Sequence, residues 1–127
     1  MRVKVDEIIY EEQNTMVLFS SDFGSSKACW DGENPIINHE YQVELDIDDT
    51  LEWDRDVLFD ENSKDCFQLK NGLIFISGSI DSVDEDGYTV LRLGDNIIPF
   101  MTVGIPFRVG MRVVLLVKSI ILSPVGY

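Results

Sequence analysis

The stretch LIFISGSIDSVDEDGYTVLRL, residues 73–93, decides the fold class. Residues 73–83 are rich in the Ile, Val and Phe side chains that suit an extended backbone, and Gly78 is expected to mark a bend or bulge within the strand. Asp84-Glu85-Asp86-Gly87 reads as a hairpin turn, because Asp-Gly tolerates the positive φ that such turns demand. Tyr88-Thr89-Val90-Leu91-Arg92-Leu93 then returns as the partner strand. No apolar spacing here matches a helix.

The same signals continue outward. Gly94-Asp95-Asn96 turns the chain again into Ile97-Ile98-Pro99-Phe100-Met101. Residues 111–117 (MRVVLLV) are apolar on both faces, and Ser119-Ile120-Ile121-Leu122 leads to Pro124. Upstream, Val3, Val5 and Ile8-Ile9-Tyr10 precede a polar turn, and Thr15-Met16-Val17-Leu18-Phe19 follows it. Tyr41-Gln42-Val43-Glu44-Leu45-Asp46-Ile47-Asp48 alternates strictly, as a strand with one buried and one wet face does. The expected fold is all-β, made of small antiparallel barrels with two pseudo-repeated halves packed together. Residues 1–50 read as an acidic first subdomain, 51–70 as an acidic-aromatic connector, and 71–127 as an apolar second subdomain of one compact unit.

The repeat lies in two alignments. Residues 41–53 set beside 111–123 bring together Val43 and Val113, Leu45 and Leu115, Ile47 and Val117, and Leu51 and Ile121. Tyr10-EEQN-Thr15-Met16-Val17-Leu18 sits beside Val83-DEDG-Tyr88-Thr89-Val90-Leu91. In the first copy Glu44, Asp46 and Asp48 keep one face in water, where the second copy has Val114, Leu116 and Lys118. The second copy is therefore expected to lie centrally with the first packed on it, or to meet a second subunit.

The run from Gly78 to Phe100, with Gly104-Ile105-Pro106 and Val109-Gly110 launching residues 111–124, resembles the small oligonucleotide/oligosaccharide-binding (OB-fold) barrels. The resemblance covers residues 73–124 and, weakly, 3–50; SH3-like barrels share the pattern. It implies a five-stranded barrel whose ligand face pairs aromatics with Lys and Arg. Here that face is acidic or nearly neutral, which argues against a nucleic-acid ligand.

Charge sharpens this. Net charge is −13, and residues 1–70 carry 18 acidic and 6 basic side chains against 5 and 4 in residues 71–127. Such a field repels phosphate backbones and favours a basic protein. At 45% hydrophobic, the chain of 127 residues can bury a core. Its start turns acidic before an apolar leader can form and no run is long enough to span a bilayer, so a cytoplasmic protein without membrane contact is expected. Monomer and dimer remain open.

Chemistry-bearing patterns are sparse. Cys29 and Cys66 lack CxxC spacing and read as reduced thiols. His39, the only histidine, stands in a turn between Asn38 and Glu40. Asp46-Ile47-Asp48-Asp49-Thr50-Leu51 copies the opening of a calcium loop, yet Leu51 replaces its glycine and Val57 its closing glutamate. No catalytic set, metal or cofactor is expected. The expected function is a non-enzymatic interaction module, of the bacterial immunity or antitoxin kind, with Glu44, Asp46, Asp48, Asp49, Glu52, Trp53, Asp54 and Asp56 facing a basic partner. An OB-type nucleic-acid-associated module and a carboxylate-dependent enzyme are the alternatives.

Overall fold

The computed structural model describes residues 1–125 and contains strands but no helix among them. β1 (Arg2–Tyr10), β2 (Thr15–Ser21), β3 (Gly24–Trp30) and β4 (Glu40–Asp46) follow in sequence, with β5 (Thr50–Glu52), β6 (Val57–Phe59) and β7 (Cys66–Lys70) in the connector. β8 (Leu73–Val83), β9 (Tyr88–Leu93), β10 (Asn96–Val103), β11 (Arg112–Val117) and β12 (Ile121–Pro124) complete the chain. One sheet closes as a barrel in the order β1-β2-β3-β12-β4. The other runs β5-β10-β9-β8-β11-β6, with β7 on β8, and a bridge from Trp53 to Val57 joins its two ends. The all-β, barrel-forming architecture expected from the sequence is present.

The two barrels have matching registers. In each, three consecutive strands form a meander, and the first is bulged against the second: the shift falls between Val5 and Glu7 in β1 and between Ile80 and Ser82 in β8. Just beyond the bulge, Ile8 faces Val17 as Val83 faces Thr89. The fourth strand returns antiparallel to the first, β4 on β1 and β11 on β8.

The fifth strands are exchanged. β12, from the far end of the chain, lies parallel to β3 and antiparallel to β4, closing the barrel of residues 2–46. β5 and β6, which follow β4, close the other barrel: β5 runs parallel to β10, and β6 antiparallel to β11. Leu122 stands opposite Trp30 as Leu51 stands opposite Thr102, and both leucines are buried. The structural counterpart of Leu51 is therefore Leu122, one residue beyond the Ile121 that the sequence alignment selects.

The bulge in β8 sits at Asp81, not at Gly78 as expected. A Cβ on Gly78 would come within 2.5 Å of the Arg92 carbonyl oxygen and 3.0 Å of Leu91 Cγ, so this glycine permits close packing of β8 on β9. The Asp84–Gly87 turn behaves as read. Asp84 Oδ1 accepts the N–H groups of Asp86 and Tyr88 at 2.9 Å each, and Gly87 adopts φ 91°. Its carbonyl accepts from Thr102 N–H at 2.9 Å and Thr102 Oγ1 at 2.8 Å. A side chain at 87 would be driven into the Thr102 carbonyl oxygen. Gly87→Ala is expected to lower the unfolding free energy by about 1–3 kcal/mol, read as an earlier urea midpoint.

One continuous cluster of buried side chains runs through both barrels, from Val5, Phe19 and Leu45 to Ile76, Leu91 and Leu115. Phe67 of β7 stitches them together. Its ring meets Phe19 edge-on at 5.7 Å, and its N–H donates to Phe23 O at 2.8 Å. Asp65 adds a polar tie, accepting from Arg112 Nη1 at 2.6 Å and from Gly94 N–H at 2.8 Å. The connector is thus anchored on both sides by Phe67 and Asp65, whereas Phe59 in β6 stands 53% exposed. Leu116 N–H donates to Asp56 O at 2.8 Å, continuing the edge pairing of β6 with β11, and the outward side chains Val114 and Leu116 are half-buried.

Candidate functional site

The strict alternation of β4 turns Val43 and Leu45 into the core and leaves Glu44 and Asp46 exposed. Ile47 is buried, and Asp48 and Asp49 stand exposed on the loop to β5. Glu52, Asp54 and Asp56 gather at the turn between β5 and β6, where Asp54 holds φ 70°. Asp56 has structural work there. It accepts the Glu52 N–H at 2.9 Å and pairs with Arg55 at 2.9 Å. Trp53 is only 5% exposed, its ring tilted against Phe107 at 5.1 Å. It anchors the turn from inside and presents no face to a partner.

Four of the eight residues line two separate depressions, and the other four line neither. Asp49 and Asp56 share a shallow depression with Arg55 and Lys118, where charges of both signs meet. Glu44 and Asp46 form the wall of a separate cleft of about 470 Å³ between the barrels. Its opposite side is β10 and the turn before it, contributing Asp95, Asn96, Ile97 and Pro99. Among the described residues no Lys or Arg side chain lines that cleft, but the Met1 ammonium does, donating to Val43 O at 2.9 Å and interacting with the Glu44 carboxylate. Glu44, Asp46, Asp48, Asp49 and Asp54 likewise have no ion-pair partner among the described residues, whereas Glu52 and Asp56 pair with Arg55. Asp95, Ile97 and Pro99 escaped the sequence reading. The available signal was the run from Ile97 to Met101, apolar on both faces of a strand.

No family model, curated protein or solved structure matches this chain. Its surface chemistry has to be read from its own side chains. His39 is a turn residue, its N–H donating to Ile36 O at 3.1 Å and its carbonyl accepting from Val5 N–H at 3.0 Å. Cys29 and Cys66 are free thiols. Among the described residues no three His, Cys, Asp or Glu side chains converge as metal ligands. No helix among them is long and apolar enough to cross a membrane.

Arg55 holds the Asp56 carboxyl below its ordinary range. The hydrogen bond from Arg55 pulls its pKa below 3.8; burial opposes this, and the Glu52 N–H assists. A carboxyl depressed in the folded state contributes stability that is present above the unfolded pKa and lost as pH falls through the folded one. Asp56→Asn is expected to cost about 0.5–1 kcal/mol at neutral pH. The gap between wild type and variant should close as pH drops below 3.8. Parallel urea titrations at pH 7 and pH 3 check this; a gap that persists undiminished in acid removes the charge from the explanation.

Proposed function

We propose that this chain is a non-enzymatic protein-interaction module of the immunity or antitoxin type, built from two OB-type barrels, whose acidic surface captures a basic protein. The OB assignment is supported by strand order: a three-stranded meander, a fourth strand on the first, and a fifth parallel to the third. The observation that carries the function is the exposed carboxylate charge. Glu44, Asp46, Asp48, Asp49 and Asp54 have no ion-pair partner among the described residues, and Glu44 and Asp46 share a cleft with Asp95 and the Met1 ammonium. Carboxylates left so exposed repel one another and draw a cationic partner from a distance. Capture on the immobilised protein at about 50 mM salt should return a basic protein that elutes over a narrow salt range. Recovery of only neutral or acidic proteins would end this reading.

Strand topology alone favours a nucleic-acid module. The outward cations on the second and third strands are Lys27 in one barrel and Arg92 in the other, and Arg92 is tied to Asp81 at 2.9 Å. That leaves little to hold a phosphate backbone. Retention of a single-stranded oligonucleotide at the same low salt would reverse the preference.

A further inference from the structure

The outward face of β9 and β10 is apolar where a solvated sheet face should be polar. Tyr88, Val90 and Arg92 point outward from β9, and Ile97, Pro99, Met101 and Val103 from β10. Direct cross-strand pairs join Met101 to Tyr88, Pro99 to Val90 and Ile97 to Arg92. Ile97 is 58% exposed and Val103 51%, and Tyr88 and Met101 are exposed as well. The equivalent face of the other barrel carries Met16 beside Cys29, Leu18 beside Lys27 and Ser20 beside Ser25. Its outward apolar side chains, Met16 and Leu18, are half-buried. The same framework therefore supports a covered or polar face in one copy and an open apolar strip in the other.

Carboxylates rim this strip. Glu52, which also pairs with Arg55 at 3.9 Å, stands beside Val103 through the β5–β10 pairing. Asp84, Glu85 and Asp86 form the turn that launches Tyr88. At the other end Ile97 and Pro99 border the cleft that holds Glu44, Asp46 and Asp95. Arg92 is the one cation projecting from these two strands, and it is already paired with Asp81.

We propose that this strip and its acidic rim form one docking surface for a basic protein segment in which Lys or Arg side chains are interleaved with apolar ones. The proposal rests on the reading of a basic protein partner and names where and how that partner would sit. A purely apolar segment would strip water from the rim carboxylates without replacing it. A second copy of this chain would set one −13 surface against another. A nucleic acid would bring more negative charge. A basic and apolar segment meets both demands: apolar side chains cover Ile97, Met101 and Tyr88, while lysine stems lie along the strip and their ammonium groups reach the rim. From Ile97 to Val103 the strip spans roughly 20 Å, which an extended segment of about six or seven residues would cover.

The test uses the intact chain and three blocked octapeptides as probes: alternating Lys and Leu, alternating Lys and Ser, and alternating Glu and Leu. Affinities are measured at about 50 mM salt, and amide shifts locate the contact. The Lys/Leu peptide should bind at least about tenfold tighter than the Lys/Ser peptide, with shifts centred on residues 44–46, 88–92 and 96–103, and the Glu/Leu peptide should not bind. Ile97→Asp combined with Met101→Asp should erase the tenfold preference and leave Lys/Ser binding intact; both side chains are exposed, and an unchanged thermal melt verifies the fold. Equal binding of the two cationic peptides overturns the docking strip while sparing the basic-partner reading. No binding of either cationic peptide overturns both. Self-association through the strip, or shifts there with a single-stranded oligonucleotide, overturns the proposal by assigning the surface another occupant.

Discussion

Leu122→Ala, a change near the end of the chain, will destabilise the barrel built from its beginning. Leu122 is fully buried, opposite Trp30 on one side and Leu45 on the other. Removing its side chain leaves a cavity between β3 and β4, at an expected cost of about 2–5 kcal/mol. That is a large share of the roughly 5–15 kcal/mol that holds a domain of this size together. Leu51→Ala should cost a similar amount but act on the other barrel, where Leu51 is buried opposite Thr102.

The two tryptophans make the crossing measurable, since Trp30 lies in the first barrel and Trp53 at the closing turn of the second. Trp30 donates its indole N–H to Glu33 O at 2.7 Å and meets Tyr41 edge-on at 4.8 Å, so loosening β12 should alter its emission and quenching. In a Trp53→Phe background, Leu122→Ala should expose Trp30 at lower urea. In a Trp30→Phe background, Leu51→Ala should do the same to Trp53. Barrels made of contiguous halves would reverse this pattern, with Leu122→Ala acting first on Trp53. Amide exchange gives an independent readout: Leu122→Ala should reduce protection most in β1 to β4, and Leu51→Ala most in β8 to β11. The shared core carrying Phe19 and Phe67 should transmit part of each loss to the other barrel.

This exchange marks the boundary of what the sequence could say. Alternation exposed β4, and Asp86-Gly87 exposed the β8–β9 hairpin, because both are encoded by neighbouring residues. The likeness between the regions around Leu51 and Leu122 was also legible, because each places a buried leucine five residues after the end of a fourth strand. Which barrel each segment enters was not. β5 has three residues and β12 four, and both make parallel pairings with strands distant in sequence, so no local pattern specifies the choice. The bulge at Asp81 was misassigned to Gly78 because glycine signals either a bend or a close approach, and residue type alone does not separate them. At the candidate surface, Glu44 and Asp46 followed directly from strand period. Trp53 did not, since an aromatic among carboxylates reads the same whether it points out or, as here, packs under Phe107. Asp95 and Ile97 join Glu44 only through the meeting of two barrels, which composition does not reveal.

The second large effect concerns the rate of partner capture. Replacing Glu44, Asp46, Asp48 and Asp49 with lysine adds two positive charges per site and moves the net charge from −13 to −5. All four side chains are exposed and lack an ion-pair partner among the described residues, so stability should change by less than about 0.5 kcal/mol or rise slightly as repulsion is relieved. The association rate with a captured basic partner at about 50 mM salt should fall roughly 10- to 100-fold, and the salt dependence should flatten with it. Dissociation should change less, because the apolar strip of β9 and β10 is untouched. The decisive control has the same net charge at another place: lysine at Glu7, Glu11, Glu12 and Glu33, all exposed and none lining the cleft. If charge steers only through its total, both variants slow association equally and the β4 flank has no special part. If the flank is the docking side, the control retains more of the wild-type rate, because screening at about 50 mM salt weights the charges nearest the approaching cation.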